Sequence, residues 1–192
     1  MKKVISFSIF LLLVVMILDA CKKDETEPET PTVPTPPGNT AVSVDLDSVP
    51  YTNLSQYRFF TGDIKNNTPN DGVIQFQPAS ALFTDYAHKK RFVWVPPGLK
   101  GTYVADNNII DFPVGTALIK TFYYDNVQPA NVTKIIETRV MIRKSNQWIF
   151  AEYVWNEDQT EATLSMNGSF ISLAWDQDGT SKSTLYRIPS ET

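Results

Sequence analysis

From residue 51 onward, apolar side chains recur mostly at every second position, the spacing of strands that bury one face. Residues 134–143 are the clearest instance: Ile136, Thr138, Val140 and Ile142 point one way, while Glu137, Arg139 and Arg143 point the other beside Ile135 and Met141. Lys144, Ser145 and Asn146 supply a turn, and 148–155 returns as a strand, so the pair reads as a hairpin. Asn167-Gly168 predicts a second hairpin between 163–166 and 170–175, because that turn type needs positive φ at both central residues. Asp178-Gly179 predicts a third, leading into 183–188. With 73–77, 91–95, 102–104 and 117–124, the pattern yields about eight or nine short strands, the layout of an antiparallel β-sandwich or partly open barrel. Helix is confined to one or two short pieces. Asn53 and Gln56 form a capping pair ahead of Leu54, Tyr57 and Phe60, with Gly62 as the stop. Residues 80–90 predict a second short helix with Leu82, Phe83 and Tyr86 inward. The expected fold class is therefore all-β.

The N-terminal pattern is of another kind. Lys2 and Lys3 precede an apolar stretch over 4–17, and Leu18-Asp19-Ala20-Cys21 follows, which predicts a secretory signal over 1–20. Leu-x-Ala-Cys resembles the lipobox of bacterial lipoproteins, in which the cysteine is acylated and becomes the first mature residue. The chain's only cysteine stands at that point, so Cys21 is the expected lipid attachment site. Several acyl chains, at ~0.8 kcal/mol per buried methylene, hold a protein on a bilayer far more firmly than one. Residues 21–45 follow as a Pro, Glu and Thr-rich linker holding Pro28, Pro31, Pro34, Pro36 and Pro37. Such a tether stays extended at ~3.1 Å per residue and lifts a domain some ~60 Å. Cys-Lys-Lys-Asp-Glu is similar to the start of many Bacteroidetes lipoproteins, in which acidic residues behind the cysteine direct surface display. The globular domain is expected over 46–192, on an outer-membrane lipoprotein that is periplasmic or surface-exposed.

Composition narrows the chemistry. One Cys excludes an internal disulfide and a Cys-rich zinc site, and one His excludes a His-rich metal site. A net charge of −4 without a long basic run argues against nucleic acid as a partner. His88, with Asp85 three residues earlier on the predicted helix, is a candidate haem or metal ligand or general base; the plainer reading is a solvated residue at a helix end. Asp176 and Asp178 resemble the opening of a calcium loop, against a plain hairpin turn. The polar run 156–161 suits a cation or a sugar hydroxyl, against a solvated loop. Glu137 and Glu152 form an acid–base pair if they face each other across the hairpin, whereas a cross-strand Arg139–Glu152 pair is the blander arrangement. Trp94, Trp148, Trp155 and Trp175 form a carbohydrate platform or, as is commoner in a sandwich, part of the core.

Five longer stretches carry a family resemblance: Leu54-Ser-Gln-Tyr-Arg-Phe-Phe; Leu82-Phe-Thr-Asp-Tyr-Ala-His-Lys-Lys-Arg-Phe-Val-Trp-Val-Pro-Pro-Gly; Phe112-Pro-Val-Gly-Thr-Ala-Leu-Ile-Lys-Thr-Phe-Tyr-Tyr; Ile136-Glu-Thr-Arg-Val-Met-Ile-Arg; and Tyr153-Val-Trp-Asn-Glu-Asp-Gln-Thr-Glu-Ala. They resemble the N-terminal β-rich region of secreted bacterial dihaem c-type cytochrome-like proteins, over 54–192. Phe-Pro-x-Gly-Thr with its aromatic hairpin is also similar to the small β-rich c-type cytochromes that oxidise hydroxylamine. In the first family the segment like 186–192 runs into a Cys-x-x-Cys-His haem motif. The resemblance implies an accessory role in periplasmic or surface electron transfer beside a haem domain or cytochrome partner, and haem c only if the protein continues beyond Thr192. No cofactor is expected in this chain itself, since covalent haem takes two thiols and a histidine. The alternative is a surface glycan- or protein-binding sandwich. No catalytic activity is expected, and the expected partner besides the haem protein is the bilayer, through Cys21.

Overall fold

The computed structural model describes residues 41–80 and 83–190. The expected signal, Cys21 and most of the expected linker lie outside the described residues. These residues form eight antiparallel strands: β1 (Val73–Phe76), β2 (His88–Trp94), β3 (Ala117–Val127), β4 (Val132–Arg143), β5 (Trp148–Trp155), β6 (Ala162–Leu164), β7 (Ser169–Gln177) and β8 (Thr180–Ile188). One sheet runs β1-β2-β3-β4-β5-β6, and the β7–β8 hairpin joins it through a single pairing of Val127 with Trp175. The sheet does not close into a barrel. It is nearly all β and sandwich-like, as the alternation predicts.

The first helical expectation comes out as a 3₁₀ turn over Leu54–Tyr57, where Gln56 Oε1 accepts the Asn53 N–H at 2.8 Å; a 3₁₀ turn that the pattern does not predict spans Ile64–Asn66. Leu82 lies outside the described residues, and 83–90 are not helical: Phe83 and Tyr86 are exposed, Asp85 and Tyr86 take positive φ, and β2 begins at His88. Tertiary pairing wins there, because Phe92 and Trp94 are both buried on one side of a strand that pairs along its length with β3. The stretch 102–104 makes only an isolated bridge from Thr102 to Asp111.

Asp178 and Gly179 both take positive φ in the β7–β8 turn, as a primed hairpin requires. Asn167-Gly168 forms no hairpin. Only Gly168 has positive φ, β6 pairs with β5, and β7 crosses to the other face to pair with β8. Glycine is needed at 168 because a Cβ there would meet the Ser190 backbone nitrogen at 2.8 Å.

Two cores lie on opposite faces of the sheet. The first packs Leu54, Tyr57 and Phe59 against Phe92, Ile119, Val140 and Tyr153, with Val42 and Val44 resting on its rim. Its tyrosines are tied by hydroxyls, Tyr57 to Tyr153 at 2.9 Å and Tyr153 to the Tyr51 carbonyl at 2.8 Å, so burial carries no orphaned donor. The second core packs Phe122, Tyr124 and Ile136 under Leu173, Trp175 and Tyr186 of the hairpin. A bulge lets β4 serve both. The register slips between Phe122 and Tyr123, so Ile135 turns to the first core and Ile136 to the second. The Gln159 amide pairs with the Ile135 backbone N–H and carbonyl at 2.7 and 3.1 Å.

Candidate binding groove

Alternation within each strand, combined with the register between strands, sorts the second face into transverse rows. Ile74, Val93, Leu118, Met141 and Phe150 are successive partners across β1 to β5, an apolar row. Two residues along, Phe76, Arg91, Lys120, Arg139 and Glu152 form a second row with three adjacent cations. A third row runs Lys89, Phe122, Glu137 and Val154. The β7–β8 hairpin covers the third row and leaves the first two open. The uncovered part forms a groove of about 420 Å³, walled by Ser165 and Met166 after β6 and by Pro189 and Ser190 after β8. Phe150, which lines the groove, is 58% exposed, a large value for an apolar side chain, and Ile74 on the edge strand β1 is 64% exposed.

Like charges directly opposite one another on a sheet are unfavourable. Lys120 nevertheless sits between Arg91 and Arg139; burial, and then the neighbouring guanidiniums, pull its ammonium below the usual lysine range. The Phe122 ring softens the crowding, with Lys120 Nζ at 4.6 Å and the Arg139 guanidinium at 4.7 Å from its centroid. Among the described residues neither Arg91 nor Lys120 makes an ion pair.

The acidic end of the row is internally balanced. Glu137 is wholly buried, and its Oε1 accepts the Arg139 guanidinium at 2.6 Å and the Tyr186 hydroxyl at 2.7 Å. Glu137 Oε2 and Glu152 Oε1 are both buried with no other partner. A proton on Glu152 directed at Glu137 would satisfy both atoms. Desolvation, and then the hydrogen bond that protonated Glu152 donates to Glu137, raise the Glu152 pKa far above the carboxylate range. Arg139 Nε lies 4.0 Å from Glu152 Oε2, so two carboxyls, one proton and one guanidinium make a neutral cluster. The register places Arg139 opposite Glu152 and Val154 opposite Glu137, the blander of the two sequence readings. Glu137 has no surface from which to reach a substrate, so the pair does not flank a scissile bond.

The remaining candidates scatter. His88 lies exposed on β2, stacked on Tyr123 at 5.3 Å, and its nearest carboxylate is Asp125 at 3.8 Å rather than Asp85. The Asp85 carbonyl instead accepts the Tyr124 hydroxyl at 2.6 Å. Asp176 accepts the Gln128 amide at 2.9 Å, and Asp178 is the left-handed turn residue, which suits the hairpin reading. No group of three His, Cys, Asp or Glu able to hold a metal occurs among the described residues. The loop 156–161 is occupied structurally: Gln159 mends the bulge, and Glu161 accepts the Ser55 backbone N–H at 3.2 Å. Trp94, Trp155 and Trp175 are buried, and Trp148 packs edge-on to Phe112, so the four do not make a platform. With Cys21 the sole cysteine, the residues present do not fit covalent haem. Sequence reasoning missed Arg91, Lys120, Leu118 and Met141; the alternation assigns each to a face, but only the register aligns them. No protein-family model, curated protein or solved structure matches the chain.

Proposed function

We propose that this chain is a lipid-tethered binding module of the outer membrane, periplasmic or surface-exposed, without catalytic activity of its own. The observation that carries the reading is the half-covered second face: the hairpin seals one part of the sheet and leaves beside it a walled, mostly apolar groove. A folded domain gains nothing in stability from large apolar side chains held out to water, whereas a binding site needs them. The lipobox-like Leu18-Asp19-Ala20-Cys21 supports the tether, and the Pro-rich stretch behind it supports display at a distance from the bilayer. The test is a titration of the full-length chain with the neutral dye Nile red. One saturable site is expected, and Leu118→Trp, which fills the groove, should abolish it. Dye uptake unchanged by that replacement would sink the reading.

A second reading, in which the occupant is a c-type cytochrome partner, has one observation in its favour. The stretches that resemble dihaem cytochrome-like proteins supply Arg91, Leu118, Lys120, Arg139 and Met141, the heart of both rows. In that case c-type haem co-migrates with the chain on non-denaturing gels of native membranes, and the Leu118→Trp chain migrates free of haem. Equal haem signal with both chains would exclude the groove as the contact.

A further inference from the structure

We infer that the groove takes a single-chain amphipathic acid, its apolar body lying along Leu118, Met141 and Phe150 and its anionic head seated on Arg91 and Lys120. The inference rests on the binding-module reading and names the ligand class for that groove.

Three features of the site converge on this chemistry. The two rows are parallel and adjacent, two residues apart along every strand, so an occupant lying across the strands meets apolar contact on one flank and positive charge on the other. The charge is available. Arg139 is committed to Glu137, but Arg91 and Lys120 have no carboxylate partner among the described residues. The neutral carboxyl cluster adds no net repulsion toward an incoming anion. An anion between Arg91 and Lys120 would also relieve the like-charge contact between them, which adds to the burial that holds the Lys120 ammonium below its usual range. Finally, about 420 Å³ with side walls at Met166 and Pro189 suits one acyl-sized chain rather than a flat macromolecular face.

A cationic head finds two like charges in the groove, and a neutral head gains only the apolar row. The site should therefore rank ligands of one chain length by head group. The full-length chain carrying Cys21→Ser, which has no acyl group of its own to compete, is titrated by displacement of Nile red with decanoate, decanol and decyltrimethylammonium, each below its micelle concentration. Decanoate should bind at least about tenfold more tightly than decanol, the worth of a charge-assisted contact in a partly desolvated site. Decyltrimethylammonium should be weakest. Arg91→Gln with Lys120→Gln should bring decanoate down to the level of decanol. A urea midpoint close to the parent's reports that the variant is folded.

Equal affinity for decanoate and decanol would overturn the inference while leaving the binding module standing. Displacement of the dye by none of the three would overturn both. Sedimentation of the chain with phosphatidylglycerol vesicles, without decanoate binding, would assign the cations to a bilayer surface and overturn the free amphiphile.

Discussion

Glu152 is the residue on which acidity and folding meet. Burial, and then the hydrogen bond with Glu137, lift its pKa from an ordinary 4.5 to about 9. A carboxyl that holds its proton more tightly in the native state stabilises that state fully below the ordinary carboxylate value. The contribution is lost as pH rises through the native value. Stability should therefore fall across the window from about 4.5 to about 9, before ordinary tyrosines titrate near about 10. Glu152→Gln keeps a donor toward Glu137 and removes the titration. Urea midpoints at several pH values should converge at the acid end and separate at the alkaline end, with the variant the more stable there. Parallel curves would mean that no proton is shared. Glu137 behaves differently, because its carboxylate anchors both Arg139 and Tyr186 in a dry site. Glu137→Ala should cost about 3–5 kcal/mol, the range for removing one partner of a buried ion pair.

At the scale of elements, the junction of β6, β7 and the end of β8 joins folding to the groove. Gly168 has φ +67° and lies against the backbone of Ile188, Pro189 and Ser190, and the last two wall the groove. Gly179 also takes positive φ, +75°, but has open space around it. Gly179→Ala should cost only the left-handed penalty of about 1–2 kcal/mol. Gly168→Ala should add about 1–3 kcal/mol for the forced contact and, unlike Gly179→Ala, weaken dye binding by shifting the wall. Stability curves and Nile red titrations of the two variants check this, and matching losses would refute it. The same junction marks where the sequence was legible and where it was not. Strand positions were readable because a period of two is a local property, and the Asp178-Gly179 hairpin was readable because its strands are neighbours. Asn167-Gly168 carries the same local signal, yet the strands around it pair elsewhere, and the φ it needs serves a long-range backbone contact. Ile135 and Ile136 likewise break the alternation within β4, and only the pairing with β3 identifies the break as a bulge that feeds two cores. Glu137 and Glu152 were visible as two strand carboxylates. Their shared proton depends on burial under Tyr186, 49 residues away from Glu137 along the chain.

The molecule as a whole is a sheet used three ways. One face is sealed by the N-terminal segment and its 3₁₀ turns, half of the other by the β7–β8 hairpin, and the remaining half is left open. Because β3 and β4 run through all three zones, neither core can melt without disturbing the other, and unfolding should be a single cooperative transition. That shared scaffold permits a clean separation of folding from binding. Phe122, on β3, is 1% exposed beneath the hairpin; Phe150, on β5, is 58% exposed on the same face in the open zone. Phe122→Ala empties a packed site and should cost about 3–5 kcal/mol. Phe150→Ala exposes nothing new and should change stability by no more than about 0.5 kcal/mol. If the open rows are a binding surface, the effects on ligand affinity run the other way. Phe150→Ala should lose decanoate binding severalfold, while the Phe122→Ala chain, assayed at a temperature where it is folded, should retain most of it. A Phe150→Ala chain that binds as well as the parent would leave the exposed apolar row without a role in the groove.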